Sequence, residues 1–177
     1  SANLLAFFCI TNVLKKNKVK KGAECIVPAV CWSTTLWPIL QSGLKPVFVD
    51  VDINNFCLSY SALIKKITKK TKAIILVNVL GNSPEINKIK NLAKKRKIYL
   101  IEDNCESLGS KYNNKYLGTY GDFGTFSFYY SHQVTAGEGG MITCKTKDDY
   151  NIIKSLRAHG WDRELKNKKV KDFNFIN

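Results

Sequence analysis

The chain has 177 residues, 45% of them hydrophobic, which suits one folded domain with a sizeable core and excludes a disordered polymer. Its formal charge is +14, from 28 Lys and Arg against 14 Asp and Glu. The lysines fall into separate clusters (Lys15–Lys21, Lys65–Lys72, Lys88–Lys97 and Lys166–Lys171) with no nucleic-acid-binding motif, so they read as solvated surface. No stretch reaches the roughly 20 apolar residues of a membrane span. The opening ANLLAFFCITNVL lacks the basic region and small-residue cleavage site of a signal peptide. Six cysteines (Cys9, Cys25, Cys31, Cys57, Cys105 and Cys144) show no CxxC pair and no zinc spacing. The expectation is a cytoplasmic protein with reduced thiols and no metal site.

In chain order, Ala2 to about Lys16 reads as a buried helix, Glu24–Pro28 as a short strand, and Ser33–Ser42 as a helix stopped by Gly43. Lys45–Val49 is an apolar strand ending at Asp50, Tyr60–Ile67 has helical spacing, and Lys72–Val77 is a buried strand. Pro84–Lys97 is an amphipathic helix with Ile86, Ile89, Leu92 and Ala93 on one face. Ile98–Ile101 is the next strand, running into Glu102 and Asp103. Asn113-Asn114 centres a small hairpin over Tyr112–Tyr116, Phe123–Phe128 and Met141–Cys144 are further strands, and Asp148–Ala158 closes with a helix. Continuously apolar strands alternating with helices imply an α/β fold, a mostly parallel sheet covered on both faces in three αβα layers. Ligands in such sheets bind beyond the carboxyl ends of the strands. That rule selects Trp32, Asp50, Asn78, Asp103 and the segment Ser127–His132.

These residues admit two readings each. Asp103 faces the ligand crevice or caps a turn, and Glu106 lies three residues on. Trp32, in a loop before a helix, stacks on a flat ligand or packs in the core. Ser127, Ser131 and Thr135 hydrogen-bond a phosphate or their own loop. His132 is one of two histidines, and a lone histidine is more often a structural hydrogen-bonder than a catalyst. Gly137, Gly139 and Gly140 allow tight turns. Asp50 and Asp52 lack a third ligand and suit turn chemistry.

Taken together the segments are more specific. SANLL, VPAVCWSTT, PVFVDVD, TKAIILVNVLGN, IEDNCESLGS, GTYGDFGTFSFYYSHQVTAGEGGMI and LRAHGWDR occur in order along nearly the whole chain. With them the sequence resembles the DegT/DnrJ/EryC1/StrS group, the sugar aminotransferases and dehydratases among fold-type I pyridoxal-phosphate enzymes. The resemblance implies the aspartate-aminotransferase-like large domain as a single unit over residues 1–177. A small C-terminal domain, and chain on both sides, would lie outside it. It assigns Asp103 to the pyridinium nitrogen of the cofactor, where a carboxylate keeps the ring protonated as an electron sink. Glu106 goes to the ring hydroxyl, Trp32 to stacking on the ring, and Ser127 to the phosphate. Ser1 and Ala2 end a loop whose amides hold the phosphate at a helix N-terminus.

One position departs from the aminotransferase pattern. The group carries its cofactor-binding lysine six residues before the acid of a [DE]GG motif. That acid is Glu138, and six residues earlier stands His132, with no lysine between Lys115 and Lys145. Histidine forms no Schiff base but moves protons. The departure resembles the sugar 3-dehydratases, with cofactor held non-covalently as pyridoxal or pyridoxamine 5'-phosphate. It implies a nucleotide-linked 4-keto-6-deoxy sugar as substrate, glutamate as amino donor, His132 taking a proton at the cofactor's C4′ carbon, and loss of the C3 hydroxyl. The wording WSTT, EDNCES, FYYSH and RAHGW favours a GDP-linked mannose derivative on the route to the dideoxysugar colitose of surface polysaccharides. The alternatives are a CDP-linked 3-dehydratase with a [2Fe-2S] cluster, an ordinary nucleotide-sugar aminotransferase, and a non-catalytic cofactor-binding relative. A homodimer with a shared active site is expected, with no nucleic-acid or membrane partner.

Overall fold

The computed structural model describes residues 2–161. Its strands are β1 (Glu24–Pro28), β2 (Lys45–Val49), β3 (Thr71–Val77), β4 (Tyr99–Asp103), β5 (Lys111–Tyr112), β6 (Lys115–Tyr116), β7 (Phe123–Ser127) and β8 (Gly140–Cys144). Its α-helices are α1 (Ala2–Thr11), α2 (Ser33–Gln41), α3 (Tyr60–Lys66), α4 (Ile86–Arg96) and α5 (Lys147–Arg157). Six strands form one sheet in the order β2-β1-β3-β4-β7-β8. All neighbours pair in parallel except β8, which runs antiparallel to β7 at one edge.

Successive side chains of a strand point to opposite faces, and here both faces are apolar. Val27, Ile75 and Ile101 join Phe7 and Ile10 of α1, Ile39 of α2 and Ile152 of α5 in one core. Ile26, Ile74 and Leu100 join Leu63 of α3 and Ile86 and Ile89 of α4 in the other. The sheet is therefore the middle of three layers, which is why its strands read as unbroken hydrophobic runs.

The boundaries depart from the sequence reading where tertiary bonds intervene. α1 stops at Thr11 rather than near Lys16. Asn12 Oδ1 accepts the Leu14 amide, and the returning Val19 amide donates to the Ile10 carbonyl at 2.8 Å. Lys15 turns inward to pair with the buried Asp149 instead of extending the helix. β4 includes Glu102 and Asp103, so its parallel pairing with β7 continues to Asp103 opposite Thr125. The β5–β6 hairpin has the expected turn, with Asn113 and Asn114 both at positive φ (46° and 60°), as a type I′ turn requires. Asp50 and Asp52 spend their Oδ1 atoms on the Val51 and Asn54 amides, which is turn chemistry.

A lysine-rich region lies at the amino ends of the strands, opposite their carboxyl ends. A cavity of about 1060 Å³ there is lined by nine lysines (three of them Lys90, Lys94 and Lys145), with Asp122 as its acid, and by no residue selected above as a ligand contact. Among the described residues, no helix is long and apolar enough to cross a membrane.

The packing of β7 leaves no room for a side chain at Gly124. A Cβ there would lie 2.1 Å from the Gly118 carbonyl oxygen and 2.6 Å from Thr143 Oγ1. In the full-length protein, Gly124→Ala is expected to cost about 3 kcal/mol, because backbone and not a flexible side chain must move. Urea unfolding measures it, and an unchanged midpoint would show that the close approach is not held.

Candidate active site

The carboxyl ends of β1, β3, β4 and β7 point to one side, and Trp32, Asn78, Asp103 and Ser127 lie at or just beyond them. This residue ends β4 and is 4% exposed. A buried carboxylate needs donors. Oδ2 receives Asn3 Nδ2 at 2.7 Å and Thr35 Oγ1 at 2.9 Å, from the first turns of α1 and α2. Oδ1 receives the Cys105 backbone amide at 3.3 Å. Burial and the neighbouring Asp103 push the Cys31 and Cys105 thiols up, so both stay protonated.

Thr35 also ties the aromatic to this carboxylate. Its backbone amide donates to the Trp32 carbonyl at 2.9 Å, so Trp32 is the residue from which α2 starts. The Trp32 side chain is 74% exposed and, among the described residues, makes no ring contact. Core packing, one of its two sequence readings, is thereby removed, leaving an exposed indole at the start of α2.

Ser127 ends β7 and pairs with Gly140 of β8. Its hydroxyl accepts the Tyr129 amide at 3.3 Å. A Cβ built on Gly140 would lie 2.9 Å from the Phe126 carbonyl oxygen and 3.8 Å from Ala2 Cβ. The β7–β8 corner thus meets the N-terminus of α1, where the first amides of a helix lack internal partners. Ala2 opens that helix, while Ser1 lies outside the described residues.

His132 rides on the connection between β7 and β8. The connection is shaped by the Phe128 amide to Gly139, the Ala136 amide to Phe128 and Gly137 at φ 75°. Thr135 Oγ1 accepts the Gly137 amide, so it serves the loop. The His132 amide donates to the Tyr129 carbonyl at 3.0 Å, and its half-buried ring stands edge-on to Tyr129. Neither ring nitrogen is hydrogen-bonded among the described residues, which leaves both available to a ligand. Next to it, Gln133 Nε2 donates to the Glu106 carbonyl at 2.9 Å. Glu106 Oε2 in turn accepts the amide of Leu80, a residue held at φ 52°. The histidine loop, Glu106 and the turn after β3 are therefore linked around one crevice.

The sequence model of the DegT/DnrJ/EryC1/StrS aminotransferase family matches residues 9–175. The chain belongs to this family. It is 46% identical over 168 residues to the GDP-4-keto-6-deoxy-D-mannose 3-dehydratase of Escherichia coli O55:H7, covering 95% of this chain and 43% of that protein. A solved structure of the E. coli GDP-4-keto-6-deoxy-D-mannose-3-dehydratase with bound hydrated PLP superposes with a TM-score of 0.88 at 47% identity, over 93% of this chain and 42% of that one. A structure of GDP-4-keto-6-deoxymannose-3-dehydratase with a trapped PLP-glutamate geminal diamine gives 0.88 at 46% identity, with the same coverage. The chain spans about two fifths of the length of these relatives. The sheet and its three layers are those of the aminotransferase-like fold of this family.

Sequence reasoning passed over three residues, two beside Asp103 and one behind it. Asn3 is a polar residue inside the apolar run ANLLAFFCI, and Thr35 is one of several hydroxyls in WSTT. The third is Glu102, a fully buried carboxylate one residue before Asp103 and therefore on the opposite face. Its Oε1 accepts the Tyr120 and Gly121 amides (2.7 and 2.6 Å) and its Oε2 the Gly118 amide (2.7 Å). Burial pushes this carboxyl above the usual carboxylate value, and the three amides pull it part of the way back. A charge at the end of the buried strand YLIED was the signal for it. In Glu102→Gln the amide nitrogen must replace an acceptor. At least one buried amide then loses its partner, for about 1–3 kcal/mol of stability. Denaturation and faster hydrogen exchange at Gly118 or Gly121 report it, and unchanged exchange would remove Glu102 as the clamp of this turn.

Proposed function

We propose that the full-length protein is a pyridoxal-phosphate-dependent 3-dehydratase acting on a nucleotide-linked 4-keto-6-deoxy sugar, with GDP-4-keto-6-deoxy-mannose favoured. The observation that carries the reading is His132. It stands where the resemblance puts the cofactor-binding lysine of the aminotransferases, in a chain whose remaining pocket residues are retained. The names of the relatives support the substrate and cofactor classes.

The residues fit pyridoxal or pyridoxamine 5'-phosphate. The exposed Trp32 indole offers a stacking face. The N-terminus of α1 beginning at Ala2 and the Ser127 hydroxyl offer donors to a phosphate dianion; the family resemblance assigns Ser1 to the same role. At Gly140 the β7–β8 corner runs close to the Phe126 carbonyl and to Ala2, which sets this corner beside the N-terminus of α1. The buried Asp103 would hold the pyridinium nitrogen, and Glu106 would serve the ring hydroxyl. When bound, the cofactor supplies the electron sink that lets the C3 hydroxyl of the sugar depart.

The chain's own part is proton movement and orientation. With no lysine between Lys115 and Lys145, no amine of this loop ties the cofactor covalently. His132 accepts a proton at an imidazole nitrogen and can return it to the departing hydroxyl oxygen, because a neutral imidazole both donates and accepts. The Gln133–Glu106 bond keeps the histidine loop against the crevice. Glutamate would be the amino donor, leaving as 2-oxoglutarate. We further propose that residues 1–177 form most of the large cofactor-binding domain, and that the active site is shared between subunits of a cytoplasmic homodimer.

Two measurements test the reading. Full-length enzyme given glutamate and no reductase is expected to turn over the GDP-linked sugar and not the CDP-linked one; turnover of the CDP sugar alone would reverse that preference. His132→Asn is expected to lower dehydration at least about 100-fold while cofactor still binds. Full activity in the variant, or a covalent lysine adduct after borohydride reduction of the wild type, would sink the role given to His132.

A further inference from the structure

We propose that Asn3, together with Thr35, is a positioning residue for Asp103, fixing which carboxylate oxygen meets the cofactor ring and joining the phosphate end of the site to the ring end. The inference rests on the cofactor reading above. Both side-chain donors end on the same oxygen: Asn3 Nδ2 at 2.7 Å and Thr35 Oγ1 at 2.9 Å from Oδ2. Oδ1 accepts the Cys105 amide at a longer 3.3 Å, and the Cys105 thiol also interacts with this carboxylate. Two charge-assisted bonds to one oxygen fix its plane and leave the other oxygen's lone pairs for an incoming N–H.

Asn3 is itself held without freedom. Its Oδ1 accepts the Thr125 hydroxyl at 2.6 Å, and its second amide hydrogen reaches the Thr34 carbonyl at 3.2 Å. A flipped amide would set its oxygen against the Asp103 carboxylate, so charge selects the orientation. Thr125 stands opposite Asp103 in the β4–β7 register, so the relay from β7 through Asn3 returns to β4. Asn3 is 7% exposed and lies in the first turn of α1, one residue after Ala2. The helix end that offers amides to the phosphate and the side chain that orients the ring's partner belong to one rigid turn. Thr35 makes the matching link on the other side, since its amide is bonded to Trp32. The helix start beside Ala2, the Trp32 loop and the Asp103 carboxylate are thus set relative to one another by two side chains.

The test uses full-length protein loaded with pyridoxal phosphate carrying ¹⁵N in the ring, read by ¹⁵N NMR at one neutral pH alongside cofactor affinity. The wild type is expected to show the protonated pyridinium signal, and Asp103→Asn is the control that loses it. Asn3→Leu, similar in size without donors, is expected to move the signal toward the unprotonated position and to weaken cofactor binding at least tenfold. Thr35→Val is expected to move the signal in the same direction. A merely structural role lowers the unfolding midpoint but leaves the nitrogen signal in place. Asn3→Leu that binds cofactor with the wild-type signal overturns the proposal. If that variant does not fold, Thr35→Val decides it alone, an unmoved signal again overturning it. A wild type that binds no cofactor overturns the cofactor reading and this inference with it, whereas binding with unmoved signals overturns the inference only.

Discussion

Two carboxylates placed side by side at the end of a buried strand must both find donors, because each charge removed from water costs several kcal/mol unless it is hydrogen-bonded. β4 ends in this way. Asp103 faces α1 and α2 and takes its donors from Asn3 and Thr35. Glu102 faces the other way and takes three backbone amides from the turn at 118–121. The need to satisfy them draws two helix N-termini to one face and a tight turn to the other. Gly118 and Gly124 are bare because that turn lies directly against β7.

The rest of the site is arranged on this frame. Parallel strands direct their carboxyl ends to one side, so residues far apart in sequence meet there. Trp32 follows β1, Asn78 follows β3, Asp103 ends β4 and Ser127 ends β7. Asn78 Nδ2 bonds Asn104 Oδ1 at 2.7 Å and its backbone amide bonds the Asp103 carbonyl, which stitches the floor of the crevice. The one catalytic candidate that moves a proton, His132, lies not on a strand but on a loop tied down by Gln133 and Glu106. Rigid elements thus hold the groups that bind, and a secured loop carries the group proposed to react. Nine of the lysines line a cavity at the other end of the strands and leave the crevice to a separate set of donors.

Much of this was legible from the amino-acid order. The strands at Glu24–Pro28 and Lys45–Val49 have the bounds their apolar runs announce, and the Asn-Asn hairpin turn follows from residues that tolerate positive φ. α1 was read too long because the apolar Val13 and Leu14 continue its pattern; in the fold both are exposed beyond a turn made by Asn12. Ser1 and the segment after Trp161, including the end of LRAHGWDR, lie outside the described residues.

The sequence by itself determined the α/β class, the order of strands and helices, and the substitution of histidine for lysine at position 132. Those are properties of periodicity and of residue identity, which a linear string carries in full. Only the tertiary structure decided that Trp32 is presented rather than packed, that Glu102 is a clamp for a glycine turn, and that Asn3, a hundred residues from Asp103, orients it. Such pairings depend on which strand ends converge and which helix N-terminus meets them, and no local pattern encodes a hydrogen bond between distant positions.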